Sequence, residues 1–301
     1  ELAAFLVAAQ RLGRWHLRLA FGRDVRGFAS WVEQLVAEST GKLGIGILPV
    51  PGTFEVPDSD SEDVSALSAT AVCGLSTFAE PDDAFALACE EHGVPVQSLV
   101  MPEPADLWAE VVRWQVATAL AGKLLGINPF DEPDVSAAKA ATTGILNGTR
   151  EPASPDSERT ARKMADITGM MRVEIGEMAA DDYLAVLLYV APAGADRQRA
   201  SSLREALQAR TKAAVTVQFG PRYLHSTGQL HKGGPAKGRF VVFHDLDWID
   251  DGRSPACEDV AIPRQKFTAG GLLRAQMLGD IAVLKERGKH VDLIALQRPE
   301  K

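Results

Sequence analysis

The strongest constraint on this chain is a repeated exchange of short apolar runs with stretches of helical period. "LGIGILPV" (43–50), "ATAVCGLST" (69–77) and "VPVQSLVM" (94–101) have the length and composition of buried strands, and "DDAFALACEEHG" between the last two has that of a helix. Before them, "RGFASWVEQLVAE" places Phe28, Trp31, Val32, Leu35 and Val36 on one face of a helix that should end near Gly41. "PADLWAEVVRWQVATALAGKLLG" is apolar almost all round and predicts a long helix buried between other elements. A shorter helix should start after Glu132, where Pro133 suits the first turn and Asp134 suits the helix dipole.

The alternation resumes later in the chain. "DDYLAVLLYV", "AAVTVQF", "RFVVFHD" and "HVDLIAL" predict strands, and "RASSLREALQAR" and "TAGGLLRAQMLGDIAVLKERG" predict helices. Strands separated by helices give an α/β fold, a mainly parallel sheet flanked by helices, with a second, smaller α/β region. "VPDSDSEDVSALS" and "NGTREPASPDSERTAR" read as loops, and the latter, around 147–162, sets the expected boundary between a domain at 1–150 and a region at 151–301.

The chain has 301 residues, 46% of them hydrophobic, enough for a substantial core. A net charge of −8 argues against nucleic acid or an anionic membrane as partner, since both require a basic surface. Cys73, Cys89 and Cys257 are odd in number and widely spaced, which points to a reducing, cytoplasmic setting without a disulfide framework. No apolar run reaches the roughly 18 to 20 residues of a membrane span. The start at Glu1 rather than methionine suggests a processed or truncated product.

Three stretches concentrate chemistry. In "AESTGK", Glu38 falls in the last helical turn, where the negative end of the dipole raises carboxylate basicity; a solvated helix-end glutamate beside Lys42 is the competing reading. A phosphate-loop reading of "STGK" fails, because Val36 stands where the first glycine belongs and Leu43 where the hydroxyl belongs. In "INPFDEPDVSAAK", Lys139 falls on about the second turn of the following helix, as a residue that can point back over the turn or simply as an exposed lysine. "FGPRYLHSTGQLHKGGP" gathers His225, His231, Arg222 and Lys232 in a glycine-rich loop after a strand. The two histidines lack acidic or cysteine companions, so no metal site is expected.

Together these stretches resemble phosphoglucose isomerases, and most closely the isomerase part of bacterial transaldolase/phosphoglucose isomerase fusion proteins. "WVEQLVAESTGK", "GKLLGINPFDEPDVSAAK", "FGPRYLHSTGQLHKGGP" and "FTAGGLLRAQMLGDIAVLKERG" carry the resemblance, over most of residues 28–296. It implies a sugar-isomerase (SIS-like) domain at 1–150 with the Glu38 and Lys139 motifs, and a C-terminal region with the His225 loop. It further implies interconversion of glucose 6-phosphate and fructose 6-phosphate, with Glu38 moving a proton between C1 and C2 and no cofactor. Lys139 and His225 would open the sugar ring; because the histidine motif here follows the lysine motif, His231 stays as the alternate. Ser39, Thr40, Lys42, Arg222, Gln229 and His231 are the expected substrate-binding residues. The family's serine/threonine-rich phosphate cradle belongs to a first domain with no counterpart in this chain. A non-catalytic phosphosugar-binding module or an inactive fragment is therefore the alternative, and the partner, besides the phosphorylated sugar, would be a second copy or upstream domains.

Overall fold

A computed structural model describes residues 1–52, 67–77, 83–162, 166–171, 175–190, 194–245 and 260–296. The chain forms two compact units. The first comprises Glu1–Glu132, Ala179–Asp181 and Ser226–Pro235; the second comprises Pro133–Met178, Asp182–His225 and Ala236–Lys301. In chain order the helices are α1 (Leu2–Arg11), α2 (Arg26–Thr40), α3 (Asp83–Glu91), α4 (Leu107–Leu125), α5 (Pro133–Leu146), α6 (Asp166–Met170), α7 (Gly194–Gln208), α8 (Gly228–Gly233) and α9 (Ala269–Glu286). The strands are β1 (His16–Phe21), β2 (Leu48–Pro51), β3 (Thr70–Thr77), β4 (Val96–Met101), β5 (Ser157–Ala161), β6 (Tyr183–Tyr189), β7 (Ala214–Phe219), β8 (Gly238–Asp245) and β9 (His290–Leu296).

In the first unit a parallel sheet runs β2-β1-β3-β4. Period-2 alternation sends Leu17, Leu19 and Phe21 of β1 and Ala71, Cys73 and Leu75 of β3 to one face. There they meet Leu2 and Leu6 of α1, Val32 and Val36 of α2, and Trp114 of α4. The central strand β1 was not expected from sequence, because His16 and Arg18 interrupt its apolar pattern; both are buried nonetheless. Burial and the neighbouring Arg18 charge lower the His16 pKa to about 3, so the ring is neutral in the fold.

α4 corrects one expectation. Its inner face is buried through Trp114, Ala117 and Ala121, but Trp108 is 77% exposed, and Val112, Val116, Leu120 and Leu124 are also exposed. The helix packs on α1 and α2.

The second unit has a five-stranded parallel sheet ordered β5-β9-β8-β6-β7. All of β6 is buried, as a strand covered on both faces must be. Its core joins Leu184, Val186 and Leu188 to Val215, Phe243, Ile294 and, from α7, Leu203 and Leu207. The α/β alternation read from sequence thus appears as two parallel sheets flanked by helices.

The units do not meet at the expected cut. Residues 133–150 lie in the second unit because α5 packs along α9, and 226–235 belong to the first. The stretch 147–162, read as a linker, contains the edge strand β5. Among the described residues no helix is long and apolar enough to cross a membrane. Cys73 and Cys89 are free and buried; Cys257 and residues 56–66 of the acidic loop lie outside the described residues.

Candidate active site

The first unit brings together parts of all three motifs. The register that buries Val32, Val36 and Ala37 of α2 leaves Glu38 half-buried in the last turn, with no basic residue in that turn. Beyond Thr40 the chain reverses through Leu43 (φ 55°) and Gly44 (φ 78°), closed by Lys42 N–H to Ile45 O and Ile45 N–H to Lys42 O, both 2.9 Å. Two successive left-handed residues are what a tight hairpin turn needs, and glycine supplies the second without strain.

The second motif follows the left-handed Gly126 that caps α4. Asn128 organises the turn: Phe130 N–H donates to its Oδ1 at 3.1 Å, and its Nδ2 donates to Asp131 Oδ2 at 3.0 Å. Lys42, only 4% exposed along its side chain, donates to Asn128 O at 2.7 Å and pairs with Asp131 at 3.2 Å. This clamp ties the "ESTGK" and "NPFDE" segments together.

The third motif supplies α8. Gln229 Nε2 donates to Gly41 O at 3.0 Å, and Gly44 N–H donates to Gly233 O at 2.8 Å. A Cβ on Gly41 would lie 2.2 Å from Leu230 Cα, so only glycine admits this approach. Gly41→Ala is accordingly expected to cost about 3 kcal/mol of stability through forced backbone displacement, read from denaturant midpoints. A loss under about 0.5 kcal/mol would mean that α8 does not seat against this turn.

Burial is the main cause of a raised Glu38 pKa, and the hydrogen bond and charge of Glu132 add to it. A hydrogen bond from Gln34 and the charge of Lys42 act in the opposite sense. A half-buried carboxylate with raised basicity is suited to taking and returning a proton from carbon.

Several of the residues expected at the substrate make hydrogen bonds within the chain. Thr40 is buried, its Oγ1 donating to Val36 O at 2.7 Å and accepting from Ile47 N–H at 3.1 Å. Lys42 and Gln229 hold the motif segments as described, and His231 is buried with Nε2 at 2.9 Å from Thr227 Oγ1. Ser39 is half-buried.

Lys139, Arg222 and His225 belong to the second unit, and all three are exposed. Lys139 sits in the second turn of α5, as expected. Arg222 and His225 occupy a 3-10 turn whose buried Tyr223 donates to Asp280 Oδ2 at 2.5 Å and lies 3.1 Å from the Tyr189 hydroxyl. Burial, with the Asp280 charge, pushes both tyrosines well above their ordinary range, so they stay neutral. The sequence reading missed Glu132, Asp131 and Asn128; the only signal was an Asn-Pro pair, a turn-starting dipeptide. Among the described residues no cluster of three or more His, Cys, Asp or Glu is arranged to hold a metal.

No family model matches the chain. Curated proteins do. The chain is 27% identical over 177 residues to a glucose-6-phosphate isomerase from Leptospira interrogans, covering 48% of this chain and 39% of that protein. It is 30% identical over 153 residues to the Levilactobacillus brevis glucose-6-phosphate isomerase (40% and 34% covered) and 29% over 161 residues to that of Symbiobacterium thermophilum (40% and 35%). The chain thus spans little more than a third of the length of these relatives. Among solved structures, a hypothetical protein from Thermus thermophilus aligns with a TM-score of 0.31 at 12% identity, over 98% of this chain and 76% of that one. The C-terminal domain of a glucosamine-fructose-6-phosphate aminotransferase from Francisella tularensis gives 0.24 at 8% identity, over 95% and 91%. Both scores are too low to equate folds.

Proposed function

We propose that this chain carries the proton-transfer centre of an aldose-ketose isomerase that interconverts glucose 6-phosphate and fructose 6-phosphate. The observation that carries this reading is the convergence of the "ESTGK", "NPFDE" and "TGQLHKGG" segments on one half-buried carboxylate, Glu38, of raised basicity. Partial similarity to glucose-6-phosphate isomerases supports the substrate class.

In the open-chain aldose, the C2 hydrogen lies next to the C1 carbonyl and is acidified by it. Glu38 takes that proton, the C2–H electron pair forms the C1–C2 double bond, and the carbonyl electrons move to O1, giving a cis-enediolate. Return of the proton to C1, with the C1–C2 double-bond electrons forming the new C1–H bond, the O2–H electrons forming the C2 carbonyl and the O2 proton passing to O1, gives the ketose. The step is redox-neutral, so it needs neither oxidant nor reductant. Ring opening moves a proton from the anomeric hydroxyl to the ring oxygen, and we assign it to the exposed Lys139 and His225. Ser39 and Arg222 are left to bind the sugar. We place the reaction in the cytoplasm and the chain within a longer polypeptide of the transaldolase-fused type, which would bring the phosphate cradle.

A coupled assay for fructose 6-phosphate, run beside a glucose 6-phosphate binding titration on the chain, tests this reading. Turnover is expected. Binding without turnover would overturn it in favour of a phosphosugar-binding module, and neither would overturn both.

A further inference from the structure

We propose that Asn147 is a site of spontaneous covalent modification: in the folded chain its side-chain amide closes on the Gly148 nitrogen and is converted to aspartate and isoaspartate, loosening the end of α5. The reaction needs only water and is independent of the isomerase reading.

Asn128 and Asn147 are the chain's two asparagines, and their surroundings differ sharply. Asn128 precedes Pro129, whose nitrogen carries no hydrogen, and its Nδ2 donates to Asp131 Oδ2 at 3.0 Å. Asn147 precedes Gly148 and lies just beyond the end of α5 at Leu146, where it, Gly148 and Thr149 are all exposed. Among the described residues no hydrogen bond holds the Asn147 side-chain amide. Gly148 has a left-handed backbone (φ 67°), and a Cβ built there would meet nothing within 4 Å, so this side of the turn is open to solvent. The bond that occupies its nitrogen, Gly148 N–H to Ile145 O at 3.1 Å, belongs to an exposed helix end, where local opening costs least.

In the first step the Gly148 nitrogen bonds to Cγ of Asn147, the Cγ–Nδ2 bond breaks, and Nδ2 leaves as ammonia with the proton that the nitrogen gave up. A five-membered succinimide results. Water then opens the ring at Cγ, which restores the ordinary peptide link and leaves aspartate, or at the main-chain carbonyl, which leaves the chain joined through the side chain as isoaspartate. No atom is oxidised or reduced. Glycine favours the closure because it places no side chain beside the attacking nitrogen and restricts the backbone least.

The products act on a tight turn. A carboxylate at residue 147 sits at the negative end of the α5 dipole, where it is disfavoured. Isoaspartate also lengthens the main chain by one carbon, immediately before residues that fold back onto the helix. There Thr149 N–H and Arg150 N–H donate to Gly144 O at 2.9 and 3.2 Å, and the Thr149 hydroxyl does so at 3.2 Å. A Cβ on Gly144 would lie 2.9 Å from Arg150 Cβ, so the fit leaves no slack. Arg150 in turn pairs with Glu286 at the end of α9, the helix along which α5 packs. A lengthened link before Thr149 releases this tie.

The test is to keep the full chain folded at mildly alkaline pH and body temperature over weeks, then digest it. The peptide holding residues 147–148 should show the mass gain of an amide-to-acid exchange, and the peptide holding Asn128 should not. An isoaspartyl carboxyl methyltransferase supplied with methyl-labelled S-adenosylmethionine should label the former. Peptide mapping separates this label from any at Asp251–Gly252, which lies outside the described residues. Asn147→Gln, an exposed and conservative change, should abolish both signals, because its longer side chain cannot close the five-membered ring. In the converted chain, amide hydrogen exchange at Thr149 and Arg150 should be faster than in fresh chain. Conversion confined to chain unfolded in urea, or signals that survive Asn147→Gln, would overturn the proposed site. Unchanged exchange at Thr149 and Arg150 after conversion would overturn the loosening of α5.

Discussion

Glu38→Gln is expected to lower glucose 6-phosphate isomerisation by about 10²- to 10⁴-fold, the usual contribution of a positioned general base. The amide matches the carboxylate in shape and can still meet Glu132 and Gln34, but it cannot accept a proton from carbon. The fold should survive. Because the Glu38 pKa is raised in the folded chain, the native state holds a proton that the unfolded state has released. That carboxyl therefore disfavours the fold increasingly as pH climbs from the ordinary glutamate value toward its raised one. The glutamine variant, freed of this burden, should be no less stable than the parent at neutral pH. Chemical denaturation beside the coupled assay reads both effects. A variant that turns over as the parent does would remove Glu38 from the reaction, and one that unfolds would show that the carboxylate has a structural task.

The second large effect concerns the frame of the second unit. Asp292 of β9 has a side chain 1% exposed and accepts from Arg239 of β8 at 3.1 Å and from the Ser157 hydroxyl of β5, with His290 Nε2 at 3.3 Å. One residue toward the start of β5, Asp156 pairs with Lys285 at 2.5 Å and accepts from Val291 N–H at 2.7 Å. These contacts fasten the edge strand β5, which pairs with β9 alone. Asp292→Ala leaves the Arg239 guanidinium without this partner and releases Ser157, so a loss of about 3–5 kcal/mol is expected in urea unfolding. A loss below about 1 kcal/mol, the range of exposed pairs, would mean that the network is solvated in solution.

The same network fixes a pH dependence. Burial alone would raise Asp292, but Ser157, Arg239 and His290 outweigh it and hold its pKa below the ordinary aspartate range. Asp156 is lowered likewise, against burial, by Lys285, the Val291 amide and His290. For acids depressed in the folded state, the stabilisation is complete above the ordinary aspartate pKa and disappears as pH falls through the lowered folded values. Acid unfolding below about pH 4 should therefore be less steep in Asp292→Ala than in the parent, as midpoints measured across that window would show.

The α/β alternation was legible because most strands are continuous apolar runs and most helices carry one apolar stripe. β1 and β5 were not. β1 carries His16 and Arg18 on alternate positions of a central strand, and β5 reads Ser-Glu-Arg-Thr-Ala, as suits an edge strand half open to solvent. The all-round apolar composition of α4 predicts burial on every face, because composition cannot tell which apolar face finds a neighbour. The joining of α5 to α9, far apart in sequence, is a tertiary fact that no local pattern announces.

At the site, helix period and the Gly41 stop placed Glu38 correctly in the last turn. Thr40, Gln229 and His231 are expected at the substrate because polar residues in glycine-rich segments often meet ligands. Here they satisfy the backbone and hydroxyl groups of the turns that glycine makes possible. The tie between the two motif segments is equally hidden from sequence, since it depends on Lys42 reaching Asn128 and Asp131 across 86 residues.

Deuterium uptake from solvent probes the chemistry of Glu38 at the level of a single bond. In glucose 6-phosphate incubated with the chain in heavy water and followed by proton NMR, the parent should form fructose 6-phosphate and introduce deuterium at the exchanging carbon, while Glu38→Gln should do neither. Uptake at equal rates in both proteins, or none in the parent, would show that this carboxylate does not carry a proton between C1 and C2.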